Sequence, residues 1–123
     1  MKIEAVSTDG ARAVSTYSPA ILASGQKVLF ISGQVPPDLK APVDVQVRQT
    51  FQAIGELLKA AGATYANVTM VRAYFVHLQR DLEAFRRVRV EFLAAPYPAC
   101  TAVGVTELAL PGQALEIEAT AVL

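Results

Sequence analysis

Charge is scarce in this chain: 18% of its 123 residues are charged, 53% are hydrophobic, and acidic and basic side chains cancel. A net charge of zero gives no long-range attraction for nucleic acid or an anionic membrane, so neither is an expected partner. A small domain with so few charges is expected to bury extra surface against copies of itself. A single cysteine, Cys100, excludes an internal disulfide and points to a reducing, cytoplasmic location. A single histidine, His77, leaves no recognisable metal-ligand set and no confident Ser-His-Asp triad, so no metal is expected. The opening MKIEAVSTDGAR lacks the apolar stretch of a signal peptide. The greasiest region, Phe92 to Val105, is cut by Pro96 and Pro98 and is too short to span a bilayer. Repeats, linkers and low-complexity segments are absent, and Ser32-Gly33-Gln34 lacks the pattern of a phosphate-binding loop.

What is present reads as one domain, residues 1–123, long enough to bury its own core. Lys27 to Ser32 (KVLFIS) is β-branched and aromatic between Gly25 and Gly33, which predicts a strand. Three prolines between Val35 and Pro42 exclude a regular element there. Val47, Phe51, Ile54, Leu58 and Ala61 recur at helical steps, predicting a helix from Asp44 to Ala61 that Gly62 stops, although Gly55 weakens it. Thr69 to His77 reads as a strand with Val71, Ala73 and Phe75 on one face. Asp81 then looks like the N-cap of a helix to about Leu93, with Leu82, Phe85, Val88 and Phe92 as its apolar stripe. Thr101 to Thr106 and Ala114 to Val122 complete the strands, and Ile3–Val6 with Ala11–Ser15 suggest a hairpin about Asp9-Gly10.

This order predicts an α+β fold, two helices packed on one face of a roughly six-stranded mixed sheet. The second face then needs a cover, which is a physical argument for an oligomer. In the last strand Leu115, Ile117, Ala119 and Ala121 share the helix side, leaving Glu116, Glu118 and Thr120 opposite. Matching Thr101, Val103 and Val105 to the helix side leaves Cys100, Ala102 and Gly104 on the face of Glu116. Alternation also puts Arg72 with Met70 and Tyr74, away from the core.

Four segments recur together: Tyr17-Ser18-Pro19-Ala20, Phe30-Ile31-Ser32-Gly33-Gln34-Val35-Pro36, Gln46 to Gly62, and Glu116-Ile117-Glu118-Ala119; Pro98-Ala99 lies between the last two. In this order and at these separations they resemble the Rid (YjgF/RidA) family, once called L-PSP endoribonucleases, over nearly the whole chain. The resemblance implies a Rid/chorismate-mutase-like homotrimer whose sheets line a central barrel, with ligand clefts between subunits. It implies hydrolysis of reactive 2-imino or 2-enamino acids to 2-oxo acids and ammonia, without metal or organic cofactor. It makes Glu116 the catalytic glutamate that helps hold the attacking water and Tyr17 a substrate contact; Ser32, Arg72 and Cys100 are further candidate substrate contacts. The arginine that clamps the substrate carboxylate in the family falls at Cys100, and a family asparagine falls at Ala53.

A thiol offers one weak donor where a guanidinium offers a planar fork. Activity on amino-acid-derived imines is therefore expected to be weak unless another arginine reaches the cleft, and Arg72 is the candidate. Cys100 itself reads more readily as packing than as a nucleophile or sensor. Glu118 reads as structural. Arg86, Arg87 and Arg89 form a basic cluster best read as a solvated helix face rather than an RNA groove. The expected partner is a small imine or carbonyl metabolite. The competing reading is a non-catalytic ligand-sensing or protein-interaction trimer, and ribonuclease activity finds no support in charge or site chemistry.

Overall fold

The computed structural model describes residues 1–8 and 16–123. The apolar heptad-like spacing around Phe51 folds into helix α1, Val43–Ala60, which begins after Pro42. Its end is a Schellman motif: Gly62 adopts φ +79°, and the amides of Gly62 and Ala63 donate to the carbonyls of Lys59 and Leu58. Gly55 sits within this helix because the Tyr65 hydroxyl packs over it; a β-carbon there would stand 2.0 Å from that oxygen. The hydroxyl donates to the Phe51 carbonyl at 2.8 Å.

Six strands accompany the helices: β1 Lys2–Val6, β2 Ala20–Ser24, β3 Val28–Gln34, β4 Val68–Phe75, β5 Ala99–Gly104 and β6 Leu115–Val122. Four form one mixed sheet in the order β3-β6-β4-β5, with only β4 and β5 parallel. The other two form an antiparallel ribbon, joined to the edge strand β5 by a bridge between Ser18 and Ala99. The N-terminal strand thus pairs with Ala20–Ser24 rather than with Ala11–Ser15, and the latter lies outside the described residues. The second helix, α2, runs from Leu78 to Arg89 and starts earlier than Asp81, which lies buried inside it. Asp81 is therefore not an N-cap; its carboxylate receives both Nε and Nη2 of Arg80.

Both helices cover one face of the four-stranded sheet. Phe51, Phe75 and Phe85 are each 1% exposed or less and lie in ring contact, with Phe85 centred 5.5 Å from Phe75 and 6.2 Å from Phe51. Each such ring contributes roughly 1.5–3 kcal/mol of burial free energy. Leu115, Ile117, Ala119 and Ala121 of β6 enter this core as alternation predicts, and so do Val71, Ala73 and Phe75 of β4. The opposite face keeps Val28 and Phe30 exposed, Phe30 by 78%.

Strand β5 departs from the expected facing. It pairs with β4, which separates it from β6, and the parallel register sets Cys100 beside Val71 and Ala102 beside Ala73. Both partners are core residues, so Cys100 and Ala102 pack on the helix side while Thr101 and Val103 turn outward. Cys100 and Glu116 accordingly lie on opposite faces. The reason is local: Ala99–Gly104 carries small or apolar residues on both sides, so its own pattern does not distinguish inside from outside.

Candidate functional site

The predicted site residues separate into two groups. Glu116, Arg72 and Ser32 belong to the open sheet face. The β4–β6 ladder sets Tyr74 opposite Glu116 and Arg72 opposite Glu118. The Tyr74 hydroxyl donates to Glu118 Oε1 at 2.5 Å, and that bond is the main cause of a phenol pKa held above its ordinary value. Glu118 thus has a definite structural task. Glu116 is half-buried and lies over Gly33, where a β-carbon would stand 2.5 Å from its Cδ. The glycine of Ser32-Gly33-Gln34, at the end of β3, is therefore what makes room for this carboxylate, linking two segments far apart in sequence. Ser32 is exposed, and its carbonyl accepts from Gln34 Nε2 at 2.9 Å.

Tyr17 and Cys100 form the second group, at the outer edge of β5. The Ser18 amide donates to the Pro98 carbonyl at 3.0 Å, and the Ser18 hydroxyl donates to the Tyr97 carbonyl. These bonds pin the Tyr17-Ser18 segment to Pro98-Ala99 and bring Tyr17 beside the start of β5. Tyr17 remains 39% exposed.

A residue not assigned to the site from sequence completes this group. Arg89 is only 4% exposed, unlike its neighbours Arg86 and Arg87, so the basic cluster is not one solvated face. Its Nε donates to Thr16 Oγ1 at 2.9 Å, and its Nη1 reaches Cys100 Sγ at 3.6 Å. The guanidinium carbon lies 5.8 Å from the Tyr17 ring centre and 5.2 Å from that of Phe85. Helical spacing holds the signal that would have found it, since Arg89 follows Phe85 by four residues and shares its inward face. Burial pushes the Cys100 thiol pKa up, and Arg89 pulls it part of the way back. Arg72 does not take this place; it projects from the other face of the sheet.

The distance between the groups is set by the ladder. Strands β6 and β5 are two spacings apart, roughly 10 Å, and Cys100 and Glu116 point to opposite sides. His77 stands exposed before α2, at the rim of a separate cavity of about 810 Å³ whose lining includes Arg80, Glu107, Gln46 and Gln113. Among the described residues, no three or more His, Cys, Asp or Glu side chains are grouped to hold a metal ion. Nor is any helix of those residues long and apolar enough to cross a membrane.

Comparison with known proteins agrees with this architecture. The human 2-iminobutanoate/2-iminopropanoate deaminase is 30% identical over 89% of this chain and 82% of its own length. The RutC family protein YjgH of Escherichia coli is 39% identical over 76% of this chain and 73% of its own. A Rid-family protein of unknown function from Yersinia pestis, YyfB, superposes with a TM-score of 0.88 at 30% identity, with both chains fully covered. RidA from an Antarctic Psychrobacter gives a TM-score of 0.72 at 31% identity, over 98% of this chain and 99% of that one. Residues 8–123 match the family described as Endoribonuclease L-PSP, and on that span and these likenesses the chain belongs to the Rid family.

Proposed function

We propose that this protein binds a small 2-imino carboxylic acid and hydrolyses it slowly to the 2-oxo acid and ammonia, in a cleft completed by a second copy of the chain. The observation that carries this reading is the Glu116 carboxylate set over Gly33, on a sheet face that the helices leave uncovered. Relatives named as 2-iminobutanoate/2-iminopropanoate deaminases supply the substrate class.

The chemistry asks little of the protein. Glu116 accepts a proton from water as the water oxygen bonds to C2 of the imine. It returns that proton to nitrogen, giving a carbinolamine; the proton of the new hydroxyl then passes to nitrogen, again through Glu116, as the carbon–nitrogen bond breaks, releasing ammonia and leaving the carbonyl. One imine and one water become one 2-oxo acid and one ammonia, so no redox partner is required. Glu116 lies on the open face of the interior strand β6, two strand spacings from the edge strand β5 beside which Tyr17 is pinned. A neighbouring copy docked on the exposed Phe30, Val28 and Val103 would bring its own Glu116 to the Tyr17 edge. A homotrimer closed through these faces provides that arrangement.

The test is ammonia release from 2-iminopropionate generated in situ. Wild type should exceed the uncatalysed rate, and Glu116→Gln should lose about two orders of magnitude or more of that excess. A wild type that gives no acceleration would favour the non-catalytic ligand-binding alternative. RNA left intact by the pure protein is expected in a parallel incubation.

A further inference from the structure

We propose that the cavity of about 810 Å³ between the start of α2 and the β5–β6 loop is a second binding site, shaped for an apolar zwitterion of dipeptide size. This does not rest on the deaminase reading. Tyr17, Cys100 and Glu116 do not border the cavity, whose walls include Gln46 of α1 and Arg80 of α2. Glu116 belongs instead to the sheet face that the helices leave open.

The wall is fixed before any ligand arrives. Gln113, 4% exposed, accepts from the Leu110 amide at 3.1 Å and donates to the Leu115 carbonyl at 3.2 Å, so it splints the loop. Gln46, 5% exposed, gives its amide nitrogen to the carbonyls of Leu39 and Ala41. Those two bonds settle which end of the side chain is which, and its Oε1 is buried with no donor among the described residues. A buried acceptor left in this way calls for a donor from outside the chain.

The rim carries both signs of charge. The Arg80 guanidinium is held through Nε and Nη2 by the carboxylate of buried Asp81, which leaves Nη1 unengaged among the described residues. His77 stands at the start of α2 without a side-chain capping bond, and the partial positive charge of the helix end adds to this side. Glu107 brings the opposite charge from the loop; it is exposed and in no ion pair among the described residues.

These groups specify the ligand. A carboxylate meets Arg80 and His77, and an ammonium meets Glu107 and answers the Gln46 acceptor. Leu39, Val76, Leu108 and Leu110 give the apolar wall between them. A nucleotide would set several negative charges against one guanidinium and meet Glu107 as well. A metal ion would find Arg80 where it needs a ligand. The volume lies within the roughly 300–1,000 Å³ of small-molecule sites and exceeds what a single amino acid fills.

Calorimetric titration of the full chain with leucyl-leucine, its N-acetyl derivative and its C-terminal amide tests this. The free dipeptide should bind at least about tenfold more tightly than either derivative, as expected for the loss of one charged hydrogen bond or more. Glu107→Gln should erase the penalty of acetylation and keep that of amidation, and Arg80→Met should do the reverse. Arg80→Met strips the fork from buried Asp81, so Ala109→Trp, which fills the cavity from an exposed position, serves where that variant fails to fold. It should weaken dipeptide binding by about tenfold or more. Equal affinity for the three ligands, undiminished dipeptide binding in Glu107→Gln or Ala109→Trp, or no heat at millimolar dipeptide would each overturn the assignment. Binding lost in Glu116→Gln but kept in Glu107→Gln would put the dipeptide in the other cleft and overturn it too. Ammonia release from 2-iminopropionate is read separately, so either proposal can fail while the other stands.

Discussion

The side chain of Glu116 occupies the space that a β-carbon on Gly33 would need, 2.5 Å from the carboxyl carbon. The end of β3 and the start of β6 are thereby tied to one another by shape. Gly33 does not lie in the left-handed region, so its backbone accepts alanine, and the obstacle is the end of a flexible side chain. Gly33→Ala should therefore change stability by about 1 kcal/mol or less. Its ammonia release should nonetheless fall nearly as far as that of Glu116→Gln. Thermal melts run beside the assay separate the two effects.

Gly55→Ala should do the opposite of what helix propensity suggests. Alanine is favoured over glycine within a helix by about 1 kcal/mol. Here the added carbon would stand 2.0 Å from the Tyr65 hydroxyl, which is bonded to the Phe51 carbonyl. Overpacking of this kind costs about 1–3 kcal/mol, so urea unfolding should show net destabilisation.

The Tyr74 phenol is raised first by its hydrogen bond to Glu118 and then by desolvation. A raised folded pKa stabilises the fold fully below the unfolded tyrosine value, and that contribution disappears as pH rises through the folded value. Ultraviolet titration of Glu118→Gln should move the Tyr74 transition to lower pH. That variant should lack the Tyr74 contribution at neutral pH and therefore lose less stability than wild type as pH rises above the unfolded tyrosine value. An unchanged titration would show that the bond to Glu118 is not what holds the proton.

Cys100 should react slowly with a thiol reagent at pH 8, because burial disfavours its thiolate more than Arg89 favours it. Denaturant should expose it to rapid modification. Arg89→Met removes the one influence lowering its pKa, so the native thiol should become slower still, measured as alkylation rate against pH.

Phe30, 78% exposed on the uncovered sheet face, should matter only in the assembled protein. Phe30→Lys should leave the monomer fold intact in circular dichroism. For the trimer proposed above, the substitution should shift the sedimentation profile to smaller species and abolish ammonia release with it.

Much of this architecture is legible in the residues themselves. In β6 apolar and polar side chains alternate without exception from Leu115 to Thr120, so a two-residue period decides which face is buried. In α1 the helical spacing and Gly62 fix both the buried stripe and the stop. Strand β5 has no such contrast, and a single-residue slip in facing carries Cys100 from the sheet surface to the core side. The cluster Arg86, Arg87 and Arg89 looks uniform as charge, yet only the helix phase separates one buried guanidinium from two solvated ones.

The order of elements, the faces of the strongly patterned strands and the family were thus determined by the sequence by itself, because local period and composition encode them. The placement of Arg89 against Cys100 and Tyr17, and of Glu116 over Gly33, was decided only by tertiary structure. Those pairs are joined by strand register and by the docking of α2 on the sheet, where the choice of neighbour depends on the whole packed core rather than on any one segment.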